Sequence, residues 1–325
     1  MRPKPTHSCD DCGSVNRRQF VTTTAAVSLA GASLAGFPRQ LLAAPSPKSA
    51  AEEAVKEFYT SLTDEQRKEM ALPMDDARRT RINANWSITK MDVRLFSKPQ
   101  QELIDRVLKG ITSADGYDRF MKQMDDDAGG VKNYAVAVFG NPLKGPFEFE
   151  LTGRHLTLRA DGNTIPGPAF GGPLVYGHGE TGNSEDNLFF YQTKRANEVF
   201  AALDGAQKKK ALLAKAPGEN AVQLRDPKEA RPGIAGADLS EDQKQLVAEV
   251  LRDILKPYRQ EDVDEVMAII KETGGMDNMN LSFYQNGDVG GDKVWDVWRL
   301  EGPSLVCHFR GKPHVHAYIN VSKKL

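Results

Sequence analysis

Two rhythms of hydrophobic positions alternate along the chain, and each occurs twice. Gln100, Leu103, Val107, Leu108 and Ile111 carry the three- and four-residue spacing of one helix face, and Gln243, Leu246, Val250, Leu251 and Ile254 repeat it 143 residues later. Upstream, Phe58–Arg67 parallels Phe200–Lys208 at an offset of 142, each reading as a helix that ends in Leu followed by the capped start of another. Strand-like runs follow in both copies. Phe147–Leu151, the turn Thr152-Gly153-Arg154 and His155–Arg159 read like Asp296–Leu300, Glu301-Gly302-Pro303 and Ser304–Arg310, with Phe149 matching Trp298, Gly153 matching Gly302 and Leu156 matching Leu305. Each half predicts a helical pair feeding an antiparallel sheet. The chain predicts an α+β fold of two pseudo-equivalent halves, about 50–187 and 188–325, whose sheets meet.

The last three runs, Asp292–Leu300, Ser304–Arg310 and His314–Val321, are separated by Glu301-Gly302-Pro303 and Gly311-Lys312-Pro313, which predicts an antiparallel meander. Side chains alternate faces along a strand, so His314, His316, Tyr318 and Asn320 share one face and Val315, Ala317, Ile319 and Val321 the other. With three-residue loops, Leu300 faces Ser304 and Arg310 faces His314, which sets Asp296 opposite His308 and His308 opposite His316. The other face collects Trp295, Val297, Leu305, Cys307, Phe309, Val315 and Ala317, with Arg299 its charged exception, the polar-out, apolar-in split of a sheet covering a core. Between the halves, the stretch from Gly162 to Gly182 holds so much Gly and Pro that it reads as neither helix nor central strand, and His178 within it as a solvated loop residue. Trp86, Trp295 and Trp298 read as core, and Lys208-Lys209-Lys210 as a solvated helix face.

A length of 325 residues, 40% of them hydrophobic and 27% charged, fits one large domain or two smaller ones. The net charge of −1 gives no electrostatic reason to expect nucleic acid or an anionic membrane as partner. The first 43 residues read as an address: Asn16-Arg17-Arg18-Gln19-Phe20-Val21 has the form of a twin-arginine export motif, followed by a weakly apolar stretch from Val21 to Phe37 and small residues at Leu41-Leu42-Ala43-Ala44. That stretch is too short and too weakly apolar for a comfortable membrane span. The expectation is a signal over 1–43 and a single α+β domain over 44–325, passed by the twin-arginine export machinery to the periplasm or the medium, with no membrane attachment after cleavage. Cleavage leaves a formal charge of about −4 and Cys307 as the only thiol, a buried packing residue by its place on the apolar face. Cys9 and Cys12 beside His7 have no second half with which to complete a zinc site. Export in the folded state raises the expectation of a metal or cofactor.

Thr152-Gly153-Arg154-His155-Leu156-Thr157-Leu158, Pro168-Ala169-Phe170-Gly171-Gly172-Pro173, Trp298-Arg299-Leu300-Glu301-Gly302-Pro303 and His314-Val315-His316, in that order, resemble the motifs of the bacterial domain-of-unknown-function 3500 family. Leu62–Arg67, Asp75-Asp76 and Asn85-Trp86 fit that family's opening, so the resemblance spans nearly the whole chain beyond the signal. It implies no established activity. Two departures bear on chemistry: Arg154-His155 stands where the family usually has a His-His pair, and His308 where it has an acidic residue. An exchange of carboxylate for imidazole is one that a metal-ligand position tolerates.

His314 and His316 on one strand face, with His308 or His155 as third donor, predict a transition-metal site for zinc, iron or copper. Asp296 or Glu148 would supply a carboxylate or hold a ligand, and Tyr318 or Asp296 would handle protons. The expected activity is that of a metal-dependent hydrolase or oxygenase acting on an unknown small molecule. The alternative is a non-catalytic periplasmic protein that binds metal or ligand at the same residues. No P-loop, dinucleotide fingerprint or nucleophile elbow is present.

Overall fold

The computed structural model describes residues 44–179, 184–226, 228–288 and 291–323. The export motif with Cys9 and Cys12 lies outside the described residues, as do residues 180–183 of the Gly/Pro stretch.

Short polar residues precede most of the helices. Among the described residues these are α1 (Ala50–Ser61), α2 (Asp64–Met70), α3 (Lys98–Ile111), α4 (Ala114–Ala128), α5 (Phe190–Ala202), α6 (Gly205–Ala211), α7 (Glu241–Leu255) and α8 (Gln260–Glu272). Capping boxes open α2 with Thr63 and Gln66, α3 with Ser97 and Gln100, α6 with Asp204 and Gln207, and α7 with Ser240 and Gln243. The capping glutamines then bond each other in pairs, Gln66 with Gln100 at 2.8 and 3.2 Å and Gln207 with Gln243 at 2.8 and 3.0 Å. One residue type thus closes a helix start and ties two helices together. No helix among the described residues is long and apolar enough to cross a membrane.

The strands are β1 (Ala71–Leu72), β2 (Ala135–Gly140), β3 (Phe147–Gly153), β4 (Leu156–Ala160), β5 (Leu174–His178), β6 (Leu212–Leu213), β7 (Ile234–Ala235), β8 (Asn280–Tyr284), β9 (Val297–Glu301), β10 (Leu305–Arg310) and β11 (Val315–Val321). They form one sheet in the order β1-β2-β3-β4-β5-β11-β10-β9-β8-β6, with β7 on β8. Pairing is antiparallel except for β1 with β2 and β6 with β8. The α+β class is borne out. Elements follow as α1-α2-β1-α3-α4-β2-β3-β4-β5 over 50–178, and as α5-α6-β6-α7-α8-β8-β9-β10-β11 over 190–321 once β7 is set aside. The two runs of strands meet where β5 pairs with β11, Leu174 with Ile319 and Gly177 with His316.

That junction corrects one expectation. β5 lies within the Gly/Pro stretch and is nonetheless a central strand, buried along its length. The apolar run Leu174-Val175-Tyr176 is long enough to pair on both sides, and the glycines and prolines gather on either side of it. The meander of β9, β10 and β11 is present, but its register differs from three-residue loops. Gly302 N donates to the carbonyl of Leu305, so the first hairpin closes three residues further along and His308 faces Arg299 rather than Asp296. An odd shift turns a strand over. Trp298 and Leu300 therefore face the helices, with Trp298 stacked on Phe309, while Val297 and Arg299 take the other face. In the second hairpin the shift is even: the face of His308 is kept, but Tyr318 lies opposite it, and His316 lies opposite Arg310.

One face of the sheet packs under the helices in a continuous core that includes Phe58, Phe149, Tyr176, Leu251, Trp298, Cys307 and Phe309. Cys307 is buried there as a free thiol whose burial pushes its pKa up to about 12. The second face was expected to meet water and does not. Two irregular segments cover it, placing Trp86 and Ile88 over β2, and Ala84, Val222 and Leu224 over Val175, Val306 and Tyr318. Polar side chains on that face are consequently buried and have to find partners.

Candidate metal centre

The three imidazoles that meet come from the middle and the end of the sequence. His314 and His316 enter the sheet with β11, and His155 sits in the turn between β3 and β4. The antiparallel pairs β3–β4, β4–β5 and β5–β11 bring that turn beside the start of β11. Ring centroids are 4.9 Å apart for His155 and His314, 4.8 Å for His155 and His316, and 4.7 Å for His314 and His316. One potential ligand atom from each lies within 4.8 Å of the others, and Nε2 of His314 is 3.0 Å from Nε2 of His316. Three histidines could thus hold one metal ion.

The backbone is shaped for this meeting. His155 adopts a left-handed φ of 58°, uncommon for a residue with a side chain and characteristic of functional sites, and its N–H donates to the carbonyl of Ala84 at 2.6 Å. Gly177 lies across from His316, where a Cβ would come within 2.3 Å of the Val315 carbonyl oxygen and 3.0 Å of His316 Cδ2. A Cβ on Gly179 would meet Asp127 Oδ1 at 2.7 Å and His155 Cε1 at 2.9 Å. The two glycines of Gly177-His178-Gly179 leave the space that two of the three rings need.

Carboxylates hold the outer nitrogens of two rings. Asp127 Oδ2 is 2.8 Å from Nδ1 of His155, and Asp127 also accepts from Gln123 Nε2 at 2.9 Å and Gly179 N at 2.9 Å. Glu219 Oε2 is 2.8 Å from Nδ1 of His316 and accepts the Tyr318 hydroxyl at 3.2 Å, while its Oε1 is paired with Arg310. Burial alone would raise both acids. The bonds from His155 and Gln123 hold Asp127 below its ordinary value, and His316 and Arg310 hold Glu219 down to about 2. An ionised carboxylate only accepts, so Nδ1 of His155 donates to Asp127 and its Nε2 is left to face the other rings, while Nδ1 of His316 lies between Glu219 Oε2 at 2.8 Å and Arg310 Nη2 at 2.9 Å. Burial, then the charges of His316 and Arg310, brings His314 down to about 4, and burial lowers His316 against the pull of Glu219. Neutral imidazole is the form that binds a metal.

The remaining expected residues lie elsewhere. His308, on β10, is drawn down to about 3 by burial and by Arg299, whose Nε is 3.3 Å from its Nδ1, and it stays outside the cluster because the hairpin sets it opposite Tyr318. Asp296, buried just before β9, is likewise outside the triad. Glu148 pairs with Arg159 and Arg79 on the first half of the sheet. Tyr318 is bound to Glu219, and burial raises its pKa further above the ordinary phenol value. His178 is not solvated: it is 1% exposed, with Nε2 at 2.9 Å from Asp126. Sequence reasoning missed Asp127 and Glu219. A signal existed for the first in Asp125-Asp126-Asp127 at the end of a helix, and none for the second in the loop Pro217-Gly218-Glu219.

A cleft of about 740 Å³ opens further along the same face, lined by Arg79, Ile82, Gly172, Gln223, Leu224 and Asn320. Asn320 is four residues beyond His316, which is ~13 Å along a strand.

The family described as "Protein of unknown function (DUF3500)" matches residues 44–321. No curated protein and no solved structure matches.

Proposed function

This chain belongs to the DUF3500 family, and on that premise we propose that it holds one zinc, iron or copper ion on Nε2 of His155, His314 and His316 and acts outside the cytoplasm as a metal-dependent hydrolase or oxygenase. The observation that supports this most is the pair of separate carboxylates on Nδ1 of His155 and His316. Proteins orient metal-binding imidazoles this way, and the outer carboxylate also makes the inner nitrogen a better donor. Nε2 of His314 and Nε2 of His316 stand 3.0 Å apart, close enough to share one ion. Two nitrogens on one ion with bonds of ~2.1 Å lie at most ~4.2 Å apart, so the atoms that reach 4.8 Å require only a small inward turn of the rings.

Three protein donors with a further position open is the catalytic pattern for zinc, whereas structural sites close with four. When bound, the ion would polarise a substrate oxygen or acidify a water. Arg310, with Nη2 3.3 Å from Nε2 of His314 and 2.9 Å from Nδ1 of His316, would place positive charge beside a substrate held at the ion. Tyr318 acts as a positioning residue, since its hydroxyl fixes Glu219 and through it the ring of His316. A second reading, metal binding without catalysis, is favoured by the large cleft lying at Asn320 rather than at the rings.

Elemental mass spectrometry on the exported protein tests the site. Near one equivalent of metal in the parent and none in a His155→Ala, His314→Ala double variant is expected; a parent that stays metal-free and takes up no added ion overturns it. Azide added to a cobalt(II)-loaded sample separates the two readings: a changed visible spectrum marks an exchangeable position, and an unchanged one favours binding alone. Export by the twin-arginine machinery is part of the proposal, supported by Arg17-Arg18 and by a family match that begins at residue 44. An Arg17→Lys, Arg18→Lys variant is expected to remain in the cytoplasm.

A further inference from the structure

Arg299 on β9 lies on the same sheet face as the three imidazoles, two strands away. It is 3% exposed, and its bonds go to neutral acceptors: Nε to His308 Nδ1 at 3.3 Å and Nη2 to the Ala221 carbonyl at 2.7 Å. No carboxylate among the described residues lies within ion-pair distance of the guanidinium, and the charge of Glu301 supports it only through space. Glu301, two residues along the strand, is taken by Arg225 at 2.5 Å. A buried guanidinium without a counter-ion is unfavourable unless something else supplies the charge. Burial accordingly lowers the pKa of Arg299.

The guanidinium lines a cavity of about 290 Å³ that it shares with Lys215, Arg225, Tyr284 and Glu301. Three cations there face one carboxylate. One further group points to a ligand rather than to packing: Glu301 Oε2 is buried without a hydrogen-bond partner. The cavity is close to the ~300 Å³ lower bound of small-molecule sites. We propose that this cavity is a second binding site, for a small oxyanion that carries a hydroxyl donor: the oxyanion lies between Arg299 and Lys215, and the hydroxyl donates to Glu301 Oε2. Hydrogen phosphate and a hydroxycarboxylate both have this chemistry. Arg299 recognises either through the guanidinium donors that His308 and Ala221 leave free, and Lys215 adds a compact charge at the exposed rim.

The test is a thermal-unfolding titration of the full exported chain, kept metal-free with a chelator, against inorganic phosphate and separately against glycolate, with sodium chloride at matched ionic strength as baseline. A saturable rise in Tm with either anion is expected, and the anion that produces it names the class. Arg299→Met and Lys215→Met are each expected to weaken the apparent affinity at least tenfold. The Lys215 variant carries the test if the buried change prevents folding. A His155→Ala variant is expected to keep the full response, so failure of the metal reading leaves this one standing. No saturable rise with either anion, or an equal rise in the Lys215 variant, overturns the proposal.

Discussion

The metal reading turns on two acids that touch no ion themselves. Asp127 and Glu219 fix the orientation of His155 and His316, so isosteric replacement should leave the rings in place and weaken their grip. Asp127→Asn and Glu219→Gln are each expected to lower metal affinity by about 10–100-fold with little change in fold, measured by competition with a chromophoric chelator. Affinity unchanged in both would mean that the carboxylates serve packing alone. His155, His314 and His316 were legible from their types, the turn and the strand alternation. Asp127 and Glu219 were not, because their role comes from contacts 28 and 97 residues away in the chain. His308 shows the converse: its face followed from alternation, yet its distance from the triad depended on where a hairpin closes.

At the scale of elements, periodicity found the helices and the outer strands and lost β5. The lost strand carries the most direct link between sheet and site, since Gly177 on β5 makes room for His316 on β11. Gly177→Ala is expected to force the two central strands apart or the ring aside, at a cost of about 1–3 kcal/mol as for other overpacked interiors, and to weaken metal binding as well. Gly205→Ala is the control, because a Cβ there meets open space at the start of α6. Urea unfolding of both variants with and without added zinc checks this: the first should lose stability and most of its zinc-dependent gain, the second neither. An odd slip in the β9–β10 hairpin is also what put Arg299 on the wrong face in the sequence reading. Placed correctly, it is no longer an exception in an apolar layer but the base of a polar cavity.

For the whole molecule, we propose that the two runs of elements are copies of one unit, on the strength of their shared order and of the paired capping glutamines. Where the first run has His155 held by Asp127, the second has Ser304 bonded to Thr273 at 2.8 Å, so the triad takes one histidine from the first run and two from the second and is not repeated. A buried triad joins the two runs: Arg259 of the loop before α8 takes Glu52 of α1 at 2.7 and 3.0 Å and Asp262 of α8 at 3.0 Å. One cation between two buried acids leaves a negative charge with little solvation. Burial pushes Asp262 up to about 7 despite Arg259, and does the same to Asp161, helped by Glu148. An unfolded aspartate titrates near ~3.9, so between about pH 4 and 7 the folded chain holds a proton at Asp262 that the unfolded chain has released. Stability from this group therefore falls as pH rises through that window, by an amount on the order of 1–4 kcal/mol. The buried imidazoles act in the opposite sense below their unfolded value of ~6.5, which makes the total profile a poor test and a difference a good one. Asp262→Asn cannot titrate, so its Tm relative to the parent should be distinctly higher at pH 7.5 than at pH 5. A difference that stays flat across that range would show that Arg259 keeps Asp262 ionised in the fold and that the triad carries its charge without cost.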